Sequence, residues 1–216
     1  SKLDFSLTND QIKTLNEINK DLCSDNKMFR LLQGDVGSGK TIVSLLSAFN
    51  TVNSDFQVAV MAPTEILARQ HFLLAKKLFP KNIKIEFISG KSTYKDKKII
   101  LDKLSKKEID IIFGTHALFQ KKVEFSNLGL VIIDEQHKFG VKQRSDLAKK
   151  GGKECDVLLM SATPIPRTMI MTIFGDMNTS KIKNKPKNRK EIKTYSKLET
   201  KIDDIIKFIK KQINLE

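Results

Sequence analysis

The chain has no tryptophan, two cysteines, five prolines and no long apolar run, and each shortage narrows the reading. Cys23 and Cys155 are far apart and stand near no Cys/His cluster. That excludes a disulfide scaffold or zinc ribbon and points to a reducing, cytoplasmic compartment. No stretch approaches the ~18–20 consecutive apolar residues of a membrane-spanning helix, so no membrane partner is expected. The opening Ser1-Lys2-Leu3-Asp4-Phe5 lacks both the apolar core of a secretion signal and an initiator Met, so a piece of a longer protein is expected.

What is present is an ordinary globular composition. Of 216 residues, 40% are hydrophobic and 30% charged, with 13 Phe to build a core. This is enough apolar mass for one large domain and is not the profile of a disordered tail. Acidic residues are outnumbered, 25 Asp and Glu against 39 Lys and Arg, giving a net charge of +14. Such a charge favours a polyanionic partner. The competing account is a solvated basic face in a chain rich in Lys, Asn and Ile throughout. From Asp176 to Glu216 there are 12 Lys and Arg against 6 Asp and Glu, so the excess is concentrated near the C-terminus.

Short β-rich runs alternate with amphipathic helices. Thr8-Asn9-Asp10-Gln11 has the form of a capping box, followed by Ile12, Leu15, Ile18 and Leu22 at helical spacing. Strands are expected at 29–32, 57–62, 83–88, 109–113, 128–133 and 157–160. The helices between them are expected at 40–49, at 95–104 and along Ile66, Leu67, Gln70, Leu73, Leu74, Lys77 and Leu78, with another at 164–174. Continuous apolar strands separated by helices indicate βαβ units: an α/β fold with a mostly parallel central sheet flanked by helices. Residues 178–190, rich in Lys and Asn, read as a basic linker. A strand at 192–195 and an amphipathic helix through Ile202, Ile205, Ile206, Ile209 and Ile213 then read as the start of a second, incomplete domain. The expected division is therefore 1–177 and 178–216.

Two motifs carry chemistry. Gly34-Asp35-Val36-Gly37-Ser38-Gly39-Lys40-Thr41 fits G-x-x-x-x-G-K-[ST] between an expected strand and an expected helix. Gly34, Gly37, Ser38 and Gly39 let backbone N–H groups face phosphate oxygens at a helix N-terminus. Lys40 reaches the β- and γ-phosphates, and the Thr41 hydroxyl ligates Mg²⁺. The bland alternative is a Gly-rich turn capping a helix. The second motif is Asp134-Glu135 after the apolar run Leu130-Val131-Ile132-Ile133, at the strand end where open α/β sheets bind ligands. Asp134 would hold Mg²⁺ through water, and Glu135 would polarise the water attacking the γ-phosphate. ATP and Mg²⁺ are the cofactors these motifs call for, with Lys40, Asp134 and Glu135 the candidate catalytic set.

These residues and several further stretches resemble the first RecA-like domain of superfamily 2 helicases. Phe5, Leu7, Thr8 and Gln11 resemble the adenine-recognising Q-type motif, which implies that the Gln11 amide pairs with adenine and that Phe5 packs on the base. Ala62-Pro63-Thr64-Glu65-Ile66-Leu67-Ala68 resembles motif Ia, and Ser89-Gly90-Lys91 and Gly114-Thr115-His116-Ala117-Leu118 resemble motifs Ib and Ic. The resemblance implies nucleic-acid contacts at Pro63, Thr64, Arg69, Gly90, Lys91, Thr115 and His116. Ser161-Ala162-Thr163-Pro164 resembles motif III. Gln136, His137, Ser161, Thr163 and Arg167 are then implied to couple the ATP site to the nucleic-acid track.

Leu32 to Thr41, Asp134 to Val141 and Ala162 to Thr168 together are similar to the RecG-type DNA helicases, with Lys138 standing where the pattern has Arg. The resemblance implies a motor domain coupling ATP hydrolysis to branch migration and regression of stalled replication forks, in recombination and repair. It implies branched or forked double-stranded DNA as partner, a monomer, and a wedge domain and second RecA-like domain outside this sequence. Without the arginine of that second domain, the chain alone is expected to bind nucleotide and hydrolyse it poorly. The alternative in the same superfamily is the motor of the transcription-repair coupling factor, whose acidic motif usually lacks the His at position 137. RNA helicases, a binding module with a decayed ATPase and generic P-loop ATPases are the remaining classes.

Overall fold

The computed structural model describes residues 5–90, 92–119, 122–135, 155–163, 177–183, 196 and 198–213. They fall into two compact units, Ser1–Pro186 and Lys187–Glu216. The first unit is built on strands β1 (Phe29–Gly34), β2 (Gln57–Met61), β3 (Ile85–Ile88), β4 (Ile111–Gly114), β5 (Leu128–Ile133), β6 (Asp156–Ser161) and β7 (Asn178–Ile182). They form one sheet in the order β3-β4-β2-β5-β6-β1-β7, and every neighbouring pair is parallel. Helices α1 (Asn9–Leu22), α2 (Lys40–Asn53), α3 (Glu65–Leu78) and α4 (Tyr94–Ser105) accompany it.

The central strands are apolar without interruption because both of their faces are covered. In β2, Val58 and Val60 pack into one core cluster and Ala59 and Met61 into the other. In β5, Leu130 and Ile132 divide from Val131 and Ile133 in the same way. One face carries Ile18 of α1, Val43 and Ala48 of α2 and Ala75 of α3; the other carries Leu104 of α4.

Local signals set the helix starts. Thr8 Oγ1 accepts from Gln11 N (3.3 Å) while Thr8 N donates to Gln11 Oε1 (2.9 Å), completing the expected capping box. Thr64 and Thr93 cap α3 and α4 through bonds from Leu67 N and Asp96 N. Helix α2 instead begins at Gly39, whose backbone is left-handed.

The described helices stand where expected, and one expectation, the linker at 178–182, is corrected. Helix α3 turns Ala68, His71 and Ala75 inward, while Ile66 and Leu73 are 75% and 57% exposed. Leu74 and Leu78 of the expected helix are partly buried and pack against the core. In α1, Ile18 is buried and Leu15 and Leu22 pack against the core as the spacing predicts, while Ile12 is exposed and Gln11 and Thr14 are buried beside them. Residues 178–182 are a strand rather than linker. Their polar sequence is tolerated because β7 is an edge strand paired only with β1, and Ser180 and Ile182 alone point inward. The expected helix at 164–174 and strand at 192–195 lie outside the described residues.

In the second unit a 3-10 turn at Glu199–Lys201 leads into α5 (Ile202–Ile213). Asp203 and Asp204 in its first turn and Lys210 and Lys211 in its last suit the helix dipole. Ile202, Ile206, Ile209 and Ile213 are exposed along it. No helix among the described residues is long and apolar enough to cross a membrane.

Candidate nucleotide site and its neighbouring loops

All seven strands run the same way, so the loops following them share one edge. The candidate residues follow β1, β2, β3, β4, β5 and β6, and the strand order sorts them. Loops after β3, β4 and β2 carry Gly90, Thr115 and Pro63-Thr64, and these strands are contiguous. Loops after β5, β6 and β1 carry Asp134-Glu135, Ser161-Thr163 and the glycine-rich loop, and these too are contiguous.

The glycine-rich loop is a tight wrap. Gly37 and Gly39 have φ of 77° and 89°, a region open to glycine and costly for other residues. A Cβ on Gly39 would lie 2.2 Å from Gln11 Nε2, so no side chain fits there. Lys40 opens α2 and is buried, its Nζ donating to Gly34 O (2.6 Å) and Asp35 O (3.0 Å). Burial pushes its ammonium below the ordinary lysine range; Asp134, then Glu135 and Asp35, pull it back up. The lysine thus sits within the field of both candidate carboxylates. Thr41 is half-buried in the first turn of the same helix.

Asp134 is buried at the end of β5, anchored by its N–H to Met61 O of the neighbouring β2 (2.8 Å). Its Oδ1 accepts from Glu135 N (2.9 Å) and its Oδ2 lies 2.7 Å from His71 Nε2 of α3. Glu135 has φ of 48°, an uncommon conformation for a residue with a Cβ and typical of strain kept at functional sites.

The arrangement suits ATP and Mg²⁺ on two observations. Ser38 Oγ is buried with no hydrogen-bond partner among the described residues, an unmet polar atom inside the loop. The second is the chemistry of the candidate donors: the Asp134 carboxylate and the Thr41 hydroxyl are oxygen ligands of the kind Mg²⁺ takes together with phosphate oxygens.

Gln11 is engaged within the chain. Its side chain is 4% exposed, and besides accepting from Thr8 N it donates from Nε2 to Ser38 O (2.8 Å). One end of the amide completes the cap of α1, and the other braces that helix against the phosphate loop. Phe5 is half exposed. Thr64 is exposed, while Arg69 stacks its guanidinium 5.0 Å from the centroid of Phe87. Gly90 is open to solvent, and its carbonyl accepts from Lys97 Nζ (2.9 Å). Thr115 is half-buried and precedes the 3-10 turn His116–Phe119. Ser161 is fully buried, and its Oγ accepts from Thr163 N (3.2 Å). Lys91, Gln136, His137 and Arg167 lie outside the described residues, as does the side chain of His116.

Two residues of the site were not legible as such. His71 is hidden among the small residues of α3, and only the Ala68–Ala75 spacing signals an inward position. Gln33 reaches from the end of β1 to donate to Thr163 O (3.1 Å), joining the glycine-rich strand to the loop after β6.

A phosphate-type loop, a strand-end acidic pair and three further loops on one sheet edge place the chain among nucleotide-driven motors. Residues 8–172 match the DEAD/DEAH box helicase family. The chain belongs to that family. It is 53% identical over 192 residues to the ATP-dependent DNA helicase RecG of Streptococcus pneumoniae, covering 89% of this chain and 28% of the relative. The RecG of Borreliella burgdorferi is 48% identical over 214 residues, covering 99% of this chain and 31% of the relative. The helicase domain described here thus spans less than a third of the length of these relatives. A solved structure of RecG bound to a three-way DNA junction superposes with a TM-score of 0.85 at 41% identity, over 98% of this chain and 28% of that one. The DEAD-box helicase Mss116, at 21% identity and a TM-score of 0.66 over 96% of this chain and 48% of that one, shares the fold.

Proposed function

We propose that this chain is the ATP-binding motor domain of a RecG-type DNA translocase that couples ATP hydrolysis to branch migration and regression of stalled forks. The observation that carries this reading is the convergence of Lys40, Asp134 and Glu135. A buried ammonium at a helix N-terminus lies in the field of two carboxylates contributed by another strand end. The strong similarity to RecG over nearly the whole chain, and a structure of a RecG on a three-way junction, support branched DNA as the partner.

In this reading Lys40 leaves the carbonyls of Gly34 and Asp35 to meet the β- and γ-phosphates, a charge-assisted contact that outweighs the neutral ones. Amides of Gly37 to Lys40 and the start of α2 receive the remaining phosphate charge. Thr41 and Asp134 hold Mg²⁺, which supplies neutralisation of charge developing on the phosphates. Glu135 orients and polarises the attacking water. Pro63, Thr64, Gly90 and Thr115 face the sugar-phosphate backbone, which positions DNA without reading sequence. Ser161 and Thr163, tied to the glycine-rich strand by Gln33, report the state of the nucleotide to that track. Motor closure against a second RecA-like domain, with a wedge domain at the junction, completes a monomeric machine working in the bacterial cytoplasm. The division of the polypeptide into this motor domain and the start of a second domain belongs to the same reading, with β7 retained in the first.

The chain alone binds nucleotide but turns it over slowly, because a transition-state arginine supplied from elsewhere is worth ~10³–10⁵ in rate. The test is Glu135→Gln in the full-length protein: nucleotide binding is retained and DNA-stimulated ATPase is lost. Steady-state turnover near the wild-type rate would remove Glu135 from its role. DNA binding should be weak for this chain alone, salt-sensitive and indifferent to sequence.

A further inference from the structure

The two halves of the functional edge meet between β2 and β5, and one side-chain contact crosses that seam. Asp134 is held from two directions. Its Oδ1 takes a bond from the adjacent Glu135 N–H, a contact local to the strand end. Its Oδ2 faces His71 Nε2 at 2.7 Å, and that nitrogen belongs to α3. The histidine is 5% exposed and the aspartate 7%. Burying an imidazole against a carboxylate carries a desolvation cost that an apolar contact avoids. Ala68 and Ala75, which share the inward face of α3, show that small apolar groups satisfy the packing there. A polar group at position 71 therefore needs a reason beyond filling space.

Helix α3 supplies one. Its N-cap is Thr64, in the loop after β2, and from there to His71 the helix spans about 10 Å of hydrogen-bonded backbone. The bond thus ties the carboxylate that faces the nucleotide loop to the element that starts in the neighbouring half of the edge. We propose that His71 is a positioning residue for Asp134: it holds the carboxylate in the rotamer that receives Mg²⁺ and ties that rotamer to the placement of α3. His71 itself touches neither metal nor nucleotide; it acts through Asp134. The inference rests on the assignment of Asp134 to Mg²⁺ made above.

The experiment is a fluorescent-ADP titration of this chain in EDTA and across a Mg²⁺ series, with wild type, His71→Ala, His71→Gln and Asp134→Asn. His71→Ala should keep its EDTA affinity within about twofold and raise the Mg²⁺ midpoint about tenfold, the usual scale for groups that orient a metal ligand. His71→Gln restores an N–H donor and should recover most of that midpoint. An unchanged midpoint in His71→Ala overturns the proposal. So does an equal loss of affinity with and without Mg²⁺, or a Gln variant no better than Ala, because each reports packing alone. A wild-type midpoint in Asp134→Asn, or no nucleotide binding by the unmodified chain, would instead sink the underlying assignment. In the full-length protein, forked duplex DNA should shift the wild-type Mg²⁺ midpoint and leave that of His71→Ala unmoved; no shift in wild type overturns the link to α3.

Discussion

The two ends of the sheet bury polar groups for opposite purposes. At the end where the strands begin, polar side chains bond the backbone of neighbouring segments. Gln57 donates from Nε2 to Leu104 O (2.9 Å) and Ile109 O (2.8 Å), and its Oε1 accepts from Asn127 N (2.9 Å). Asp156 accepts from Met28 N (2.7 Å), and Asp110 from Lys84 N (2.7 Å). These bonds join the starts of neighbouring strands and close the core. At the end where the strands finish, Ser38 Oγ is unmet, the Lys40 ammonium is desolvated and Glu135 is held left-handed. Left-handed residues are not confined to that end, since Asp55 and Lys107 share the conformation, so strain alone does not mark function. What differs is the partners: one end spends its polar groups on joining strands, and in the proposed function the other exchanges its internal bonds for an anion and its cation.

The sharpest way to break this comparison is to delete one group from each end. Lys40→Ala should lower nucleotide affinity by about 100-fold or more, the worth of a strong charge-assisted contact, and leave the melting temperature equal or higher. Calorimetry and a fluorescent-nucleotide titration on the same sample separate the two effects. Unchanged affinity would take Lys40 out of the site. Gln57→Leu should do the reverse. It takes the side-chain partner from the Ile109 carbonyl and the Asn127 amide and one of two bonds from the Leu104 carbonyl, so stability should fall by about 2–4 kcal/mol in urea unfolding, with affinity for nucleotide intact. A marked affinity loss there would erase the distinction between the ends.

A smaller effect sharpens the contrast through pH. Burial raises the Asp156 carboxyl above its ordinary range, only partly offset by the bond from Met28 N. A folded-state pKa above the unfolded value means the folded chain holds this proton longer. Stability from this group is therefore fully present below the unfolded pKa and declines as pH rises through the folded one. Asp156→Asn keeps an oxygen for Met28 N and removes the charge. Unfolding at neutral pH should show a gain of no more than about 1 kcal/mol. The gain should shrink as the pH falls through the folded pKa, and a pH-independent gain would exclude desolvation as its cause.

Much of the site was legible because it is written in contiguous residues. A phosphate loop needs glycines at fixed offsets from one lysine, and a strand-end acidic pair needs an apolar run before it; both patterns are local and survive without a fold. Gln11 was legible as a capping residue, since Thr8 and Gln11 are one helical turn apart. Its brace against Ser38 was not, because that contact joins segments separated by a whole strand. Helix α3 was legible as a helix, but the burial of His71 on it was not, because a polar residue gives no apolar signal for the inward position. The strand at 178–182 was misread because an edge strand needs few apolar residues once a neighbour supplies the hydrogen bonds.

The sequence by itself therefore determined the alternation of strands and helices, the loop for phosphate and the carboxylates for a metal. These follow from spacing along the chain, and spacing is a one-dimensional property. Tertiary structure decided which loops became neighbours, that His71 meets Asp134, and that Gln33 reaches Thr163. The physical reason is strand order. In a parallel sheet every connection crosses over, so side chains that touch at its edge come from residues 60 to 130 positions apart, and only the order of pairing says which.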